Sequence, residues 1–87
     1  MVYVDDFYVT GITYKGMKMC HMIADTKEEL LQMVDKIGVP RKWIQKEGTS
    51  MEHFDIPLTK RKLAVKNGAK EIGMRALAKM TLDRRIK

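Results

Sequence analysis

Both histidines of this 87-residue chain stand near an aspartate: His21 lies four residues before Asp25 and His53 two before Asp55, while Asp5 adds a further carboxylate near the start. Imidazole nitrogens and carboxylate oxygens gathered in one place hold a divalent metal or move protons. With a metal, the carboxylates grip the ion and a histidine orients water for phosphoester hydrolysis. Asp5, His21, Asp25, His53 and Asp55 are therefore a candidate metal centre, although their spacing follows no signature such as H-E-x-x-H. Taken singly, a histidine in an apolar strand is more commonly a hydrogen-bonded core residue, and an aspartate before a helix a cap.

A second constellation is cationic. Thr59 is followed by Lys60 and Arg61 at what reads as a helix start, where free amides and the positive end of the dipole suit an anion. Two cations there oppose the dipole unless an anion is near, and a guanidinium fork beside an ammonium suits phosphate. The bland alternative is that both extend into solvent. At the other helix start, near Thr26, the residues Asp25, Glu28 and Glu29 already satisfy the dipole, so Thr26 reads as a cap. Tyr3, Tyr14 and Trp43 are candidates to stack on a base. No glycine-rich phosphate loop, nucleophile elbow or dinucleotide fingerprint occurs.

These residues need elements to hold them. Residues 1–9, rich in β-formers, predict a strand. Turn signals at Thr10-Gly11 and Lys15-Gly16 bracket 12–14, a hairpin arm or a loop. Residues 17–24 alternate, with Met17, Met19, His21 and Ile23 on one face and Lys18, Cys20, Met22 and Ala24 on the other; both faces are mostly apolar, which predicts a central strand. Residues 26–37 predict a helix, with a capping box at Thr26 and Glu29, an apolar stripe of Leu30, Leu31, Val34 and Ile37, and a stop at Gly38. Residues 51–56 alternate again, setting Met51, His53 and Asp55 against Glu52, Phe54 and Ile56. A helix over 59–67, a brief strand over 69–72 and a last helix from 74 to about 82 complete a βαβ unit and its cover. The expected fold is a small α/β domain over residues 1–82, with a mixed sheet of three to five short strands, two or three helices, and a basic tail at 83–87. In such sheets ligands sit beyond the carboxyl ends of strands, where both motifs fall.

Composition narrows the classes. A chain this short makes one domain with a marginal core, which pairing with a second copy would enlarge. Apolar residues at 45% and charged ones at 32% describe a folded chain, and no apolar run reaches the roughly 20 residues that span a bilayer. A cytoplasmic protein without a membrane role is expected. The lone cysteine, Cys20, forms no internal disulfide and reads as core, and the eight methionines read as adaptable core filler. Residues 1–44 carry six Lys/Arg against six Asp/Glu, whereas 45–87 carry eleven against five, so the whole net +6 lies in the second half. That asymmetry points to an anionic partner, phosphate above all.

The strings V-Y-V-D-D, C-H-M-I-A-D-T with E-E-L, G-V-P-R-K-W-I-Q, and H-F-D-I-P-L-T-K-R with A-V-K-N-G-A resemble a family of small uncharacterised proteins of bacteriophages, prophages and bacteria, classed as a domain of unknown function. The likeness spans residues 2–72 and includes Asp5, Asp6, His21, Asp25, Thr26, Trp43, Asp55, Lys60 and Arg61. It implies a phage setting and brings no activity with it.

The leading expectation is a non-catalytic protein that binds a phosphate-bearing ligand, a nucleotide before a duplex, and in a phage setting sequesters a signal of host defence. Lys60, Arg61 and Thr59 would hold phosphate, His21, Asp25 and Asp55 the base or ribose, and Tyr3 or Trp43 would stack. No cofactor is needed for that. The first alternative is a small phosphoesterase or nuclease with a divalent metal on Asp5, His21, Asp25, His53 and Asp55. The second is nucleic-acid binding through Arg75, Lys79, Arg84 and Arg85, and the third an interaction module for a host protein.

Overall fold

A computed structural model describes residues 1–6, 13–14 and 17–86. The continuation of the first strand over 7–9, the turn signals around Gly11 and Gly16, the side chain of Tyr14 and those of Arg84 and Arg85 lie outside the described residues. The elements run β1 (Val2–Val4), β2 (Thr13–Tyr14), β3 (Met17–Ala24), α1 (Lys27–Ile37), a 3₁₀ turn (Arg41–Trp43), β4 (Phe54–Pro57), α2 (Leu58–Lys66), β5 (Lys70–Glu71) and α3 (Met74–Ile86). The last helix thus continues through residues expected to form a basic tail.

β3 is the centre of a mixed sheet, as its two apolar faces require. Across the described residues the sheet runs β4-β3-β1-β5, with β2 also paired to β3. β1 and β4 are antiparallel to β3, and β5 is parallel to β1. β4 and β5 therefore point the same way, and α2 between them makes the expected βαβ crossover, with β3 and β1 lying between its two strands.

One face of the sheet forms the core. Val2, Val4, Cys20, Met22, Ala24, Phe54 and Ile56 pack there against Leu30, Met33, Val34 and Ile37 of α1 and Ala64 of α2. Met33, rather than Leu31, completes the buried stripe of α1, and Leu31 packs at its margin. Thr26 accepts from the Glu29 amide at 3.2 Å, and Gly38 ends the helix at φ 78°, a conformation that costs glycine little. Burial pushes the Cys20 thiol up to about 12, so it is inert packing at neutral pH. Tyr3, Asp5, His21, Ile23 and Asp55 alternate onto the opposite face, where α3 lies.

The second helix corrects the sequence expectation. Pro57 closes β4 in extended backbone and serves as N-cap without a side-chain bond, so α2 starts at Leu58 and Thr59 sits inside it as an exposed residue, not a cap. Proline's fixed φ suits both the end of a strand and the entry to a helix. Arg61 turns inward rather than toward a ligand. It is 8% exposed, donates from Nε to the Asp5 carbonyl at 3.0 Å and from Nη1 to Glu71 Oε1 at 2.7 Å, and so ties α2 to β1 and β5. The Lys60 ammonium lies beside Gly38, at the negative end of the α1 dipole, which accounts for a cation in the first turn of α2.

Candidate functional site

β3 and β4 meet in a register that sets His21 opposite Asp55. Alternation puts both on the α3 face, and His53, joined to Gln45 by an isolated bridge, brings a second imidazole beside them. The rings of His21 and His53 stand edge to face with centroids 5.2 Å apart.

Each ring is braced through Nδ1. His21 Nδ1 is 2.7 Å from Asp5 Oδ2, while Asp5 Oδ1 accepts from the His21 amide at 2.8 Å. His53 Nδ1 is 2.7 Å from the Met51 carbonyl. A carboxylate and a carbonyl only accept, so Nδ1 donates in both rings and the ligand lone pair of the neutral imidazole falls on Nε2. Both Nε2 atoms are aimed at one oxygen, Asp55 Oδ1, at 3.7 Å from His21 and 3.3 Å from His53.

His21, His53 and Asp55 form a group that could hold a metal ion, with Asp5 and the Met51 carbonyl bracing the two rings from behind. The three ligand atoms lie within 4.8 Å of one another. Four ligands about 2.0–2.1 Å from a tetrahedral ion stand roughly 3.3 Å apart, so the separation of His53 Nε2 from Asp55 matches, that of His21 Nε2 at 3.7 Å is close, and the two imidazoles would have to draw together around an ion. Two nitrogens and one carboxylate oxygen suit zinc or a similar transition metal better than magnesium or calcium, and leave an open position for water or substrate. Asp5, which is fully buried, bonds His21 Nδ1 and so fixes the tautomer and orientation of that ring.

The electrostatics agree with a shared proton in the metal-free state. Burial works against a charged His53, but its hydrogen bond to Asp55 and the Met51 carbonyl outweigh that and raise its pKa above the ordinary 6.5. The bond to His53 holds Asp55 below its ordinary 3.8, against the opposing effect of burial. A raised histidine stabilises the metal-free fold fully below pH 6.5 and loses that contribution as pH rises through its folded value. A lowered aspartate contributes above pH 3.8 and loses its share as pH falls through its folded value. The pair therefore supports the metal-free fold most between those limits. Urea unfolding of native and Asp55→Asn protein, both stripped of metal, is expected to differ more at about pH 5 than at about pH 8.5. An equal difference at both would mean that this ion pair does not couple to folding.

The remaining sequence candidates are dispersed. Since β3 and β4 are antiparallel, the helix starts that follow them lie at opposite ends of the sheet, so Asp25 and Lys60 do not converge. Asp25 accepts from the Tyr3 hydroxyl at 3.3 Å. Trp43 is exposed on the 3₁₀ turn, Thr59 is exposed on α2, and Lys60 and Arg61 serve the helix face as described. The phosphate site expected from Lys60, Arg61, His21, Asp25 and Asp55 is thus not assembled as one pocket. Two contributors escaped the sequence reading. The Met51 carbonyl is one, and backbone groups leave no sequence signal. Asp6 is the other: its Oδ1 accepts from the Met74 amide at 3.0 Å and caps α3 over this face. Its signal was the doubled aspartate itself, whose neighbours diverge in a strand.

These features define a class, a small α/β protein with a braced pair of histidines and a carboxylate on the sheet face beneath its last helix. The chain belongs to the family described as protein of unknown function (DUF4031), whose family model matches residues 2–84. No curated protein and no solved structure matches it. No helix among the described residues is long and apolar enough to cross a membrane.

Proposed function

We propose that the protein is a divalent-metal-dependent phosphoesterase, with His21 Nε2, His53 Nε2 and Asp55 holding the metal and Asp5 orienting His21. The observation that carries this reading is the bracing of both imidazoles through Nδ1, which aims two Nε2 atoms at one carboxylate oxygen.

A divalent metal held by His21, His53 and Asp55 would supply a water acidified to a pKa of about 7 and a seat for a phosphate oxygen. Attack of that water oxygen on phosphorus would break the bond to the alcohol oxygen, and the proton given up by the water would pass through the half-exposed Asp55 carboxylate to the departing alcohol. Two neutral imidazoles and one carboxylate leave the ion with net positive charge, which the buried Asp5 partly offsets. An anionic substrate also suits a chain whose net +6 lies in its second half. The phosphate of the leading sequence expectation is thereby kept, as a substrate on a metal rather than a ligand on Lys60 and Arg61. In the phage setting that the sequence resemblance implies, the activity belongs to the host cytoplasm.

The test is turnover of p-nitrophenyl phosphate and bis(p-nitrophenyl) phosphate by protein stripped with chelator and reloaded with zinc or manganese. Release of nitrophenol that requires the metal and disappears in His53→Ala supports the reading. Tight zinc binding without turnover of either ester removes the hydrolytic part, and no zinc binding removes all of it.

A further inference from the structure

The face of β3 that carries His21 is also the floor of a cleft of about 160 Å³ roofed by α3. Ile23 forms the floor beside His21, Leu77 and Ala78 the roof, and Met51 the rim beside His53. Ile23 is fully buried although it lies on the face away from the main core. Among the described residues the one hydroxyl in the lining, that of Thr81, already donates to the Ala78 carbonyl at 2.8 Å. The polar atoms left at the mouth are the two imidazoles, which the metal engages through Nε2. A group seated here meets hydrocarbon from the sheet and from α3, with the two imidazoles at its edge and solvent beside the exposed Ala78.

Resting on the phosphoesterase reading, the geometry points to a substrate class: phosphate esters of a small apolar alcohol or phenol, with the phosphate on the metal and the hydrocarbon under α3. The space equals the liquid volume of about five waters, which suits one ring or a short branched chain. A nucleobase would set its donors and acceptors against a lining that, among the described residues, is mostly hydrocarbon, and a polar group left without a partner is penalised. The α3 roof belongs to this design, because Asp6 of the doubled aspartate caps that helix while Asp5 orients His21. Adjacent residues thus hold the metal ligand and the roof of the cleft. Hydrolysis in this seat transfers the phosphoryl group to the metal-bound water oxygen and releases the apolar alcohol, carrying one proton, into the cleft.

Phosphonates, which cannot be hydrolysed, separate this subsite from catalysis. Zinc-loaded protein is expected to bind phenylphosphonate about tenfold or more tightly than methylphosphonate, by calorimetry. Ala78→Leu, which fills the cleft, is expected to collapse that preference toward one while zinc affinity stays at the native level. Leu77→Ala, which enlarges the roof, is expected to shift preference toward naphthylphosphonate, and it keeps the proposal testable if Ala78→Leu misfolds. Equal affinity for phenyl- and methylphosphonate in native protein, or a preference indifferent to both variants, overturns the subsite. Selective phosphonate binding without ester turnover keeps the subsite and overturns the hydrolytic reading. A chain that binds no zinc overturns both, and tighter binding of adenosine monophosphate than of phenylphosphonate overturns the substrate class.

Discussion

His53→Ala is expected to weaken zinc binding by more than about 100-fold in a competition titration, since removing only an outer-shell partner of a metal ligand already costs 10–100-fold. His53 is the informative ligand to remove, because its Nδ1 bonds a carbonyl at the edge of the sheet. His21→Ala has the same expected effect on the metal but also strips the buried Asp5 carboxylate of its ring partner, and so confounds metal loss with unfolding. Asp55→Asn keeps shape and removes charge, and is expected to weaken zinc as well while leaving circular dichroism unchanged. Native-like zinc affinity in His53→Ala would show that the convergence of the two rings on Asp55 serves packing alone.

The second large effect is expected at Asp5, where two substitutions separate stability from metal binding. Asp5→Ala leaves the His21 amide without its side-chain acceptor and opens a gap in a fully buried place. Loss of hydrogen bonds to a buried charged group costs about 2–4 kcal/mol, and in a domain of this size each kcal/mol lowers Tm by about 4–8 °C. Asp5→Asn still accepts from the His21 amide, so most of that stability is expected to remain. Its other atom, however, is a donor facing His21 Nδ1. The ring must then carry its proton on Nε2, and the ligand lone pair is lost. Asp5→Asn is therefore expected to melt near the native temperature yet bind zinc about 10–100-fold more weakly. A variant that melts normally and binds zinc normally would refute the bracing role of Asp5.

Much of the architecture was legible because it is set locally. The capping box at Thr26, the stop at Gly38 and the buried stripe between them depend on residues within a few positions of one another. The alternation of 17–24 and 51–56 divided core from site face correctly, since Phe54 and Ile56 are buried while His53 and Asp55 share the other side. It placed His21, His53 and Asp55 in one candidate set but gave no ground for dropping Asp25 or for moving Asp5 behind the ligands. The cationic pair shows the limit of local reasoning. Lys60 and Arg61 look misplaced against the dipole of their own helix, and the groups that account for them lie at Gly38, the C-cap of α1, at Asp5 just past β1, and at Glu71 on β5.

Local sequence set the order and type of the elements, which residues share a face of β3 and β4, and the inventory of groups able to bind a metal, though not the bounds of β4, α2 and α3. Tertiary structure alone decided which of those groups meet. The antiparallel register of β3 and β4 sets His21 against Asp55 and sends Asp25 and Lys60 to opposite ends of the sheet, while β1 pairing carries Asp5 behind His21. Register between strands far apart in sequence follows from how their buried faces pack together, and no short window of the chain contains that information.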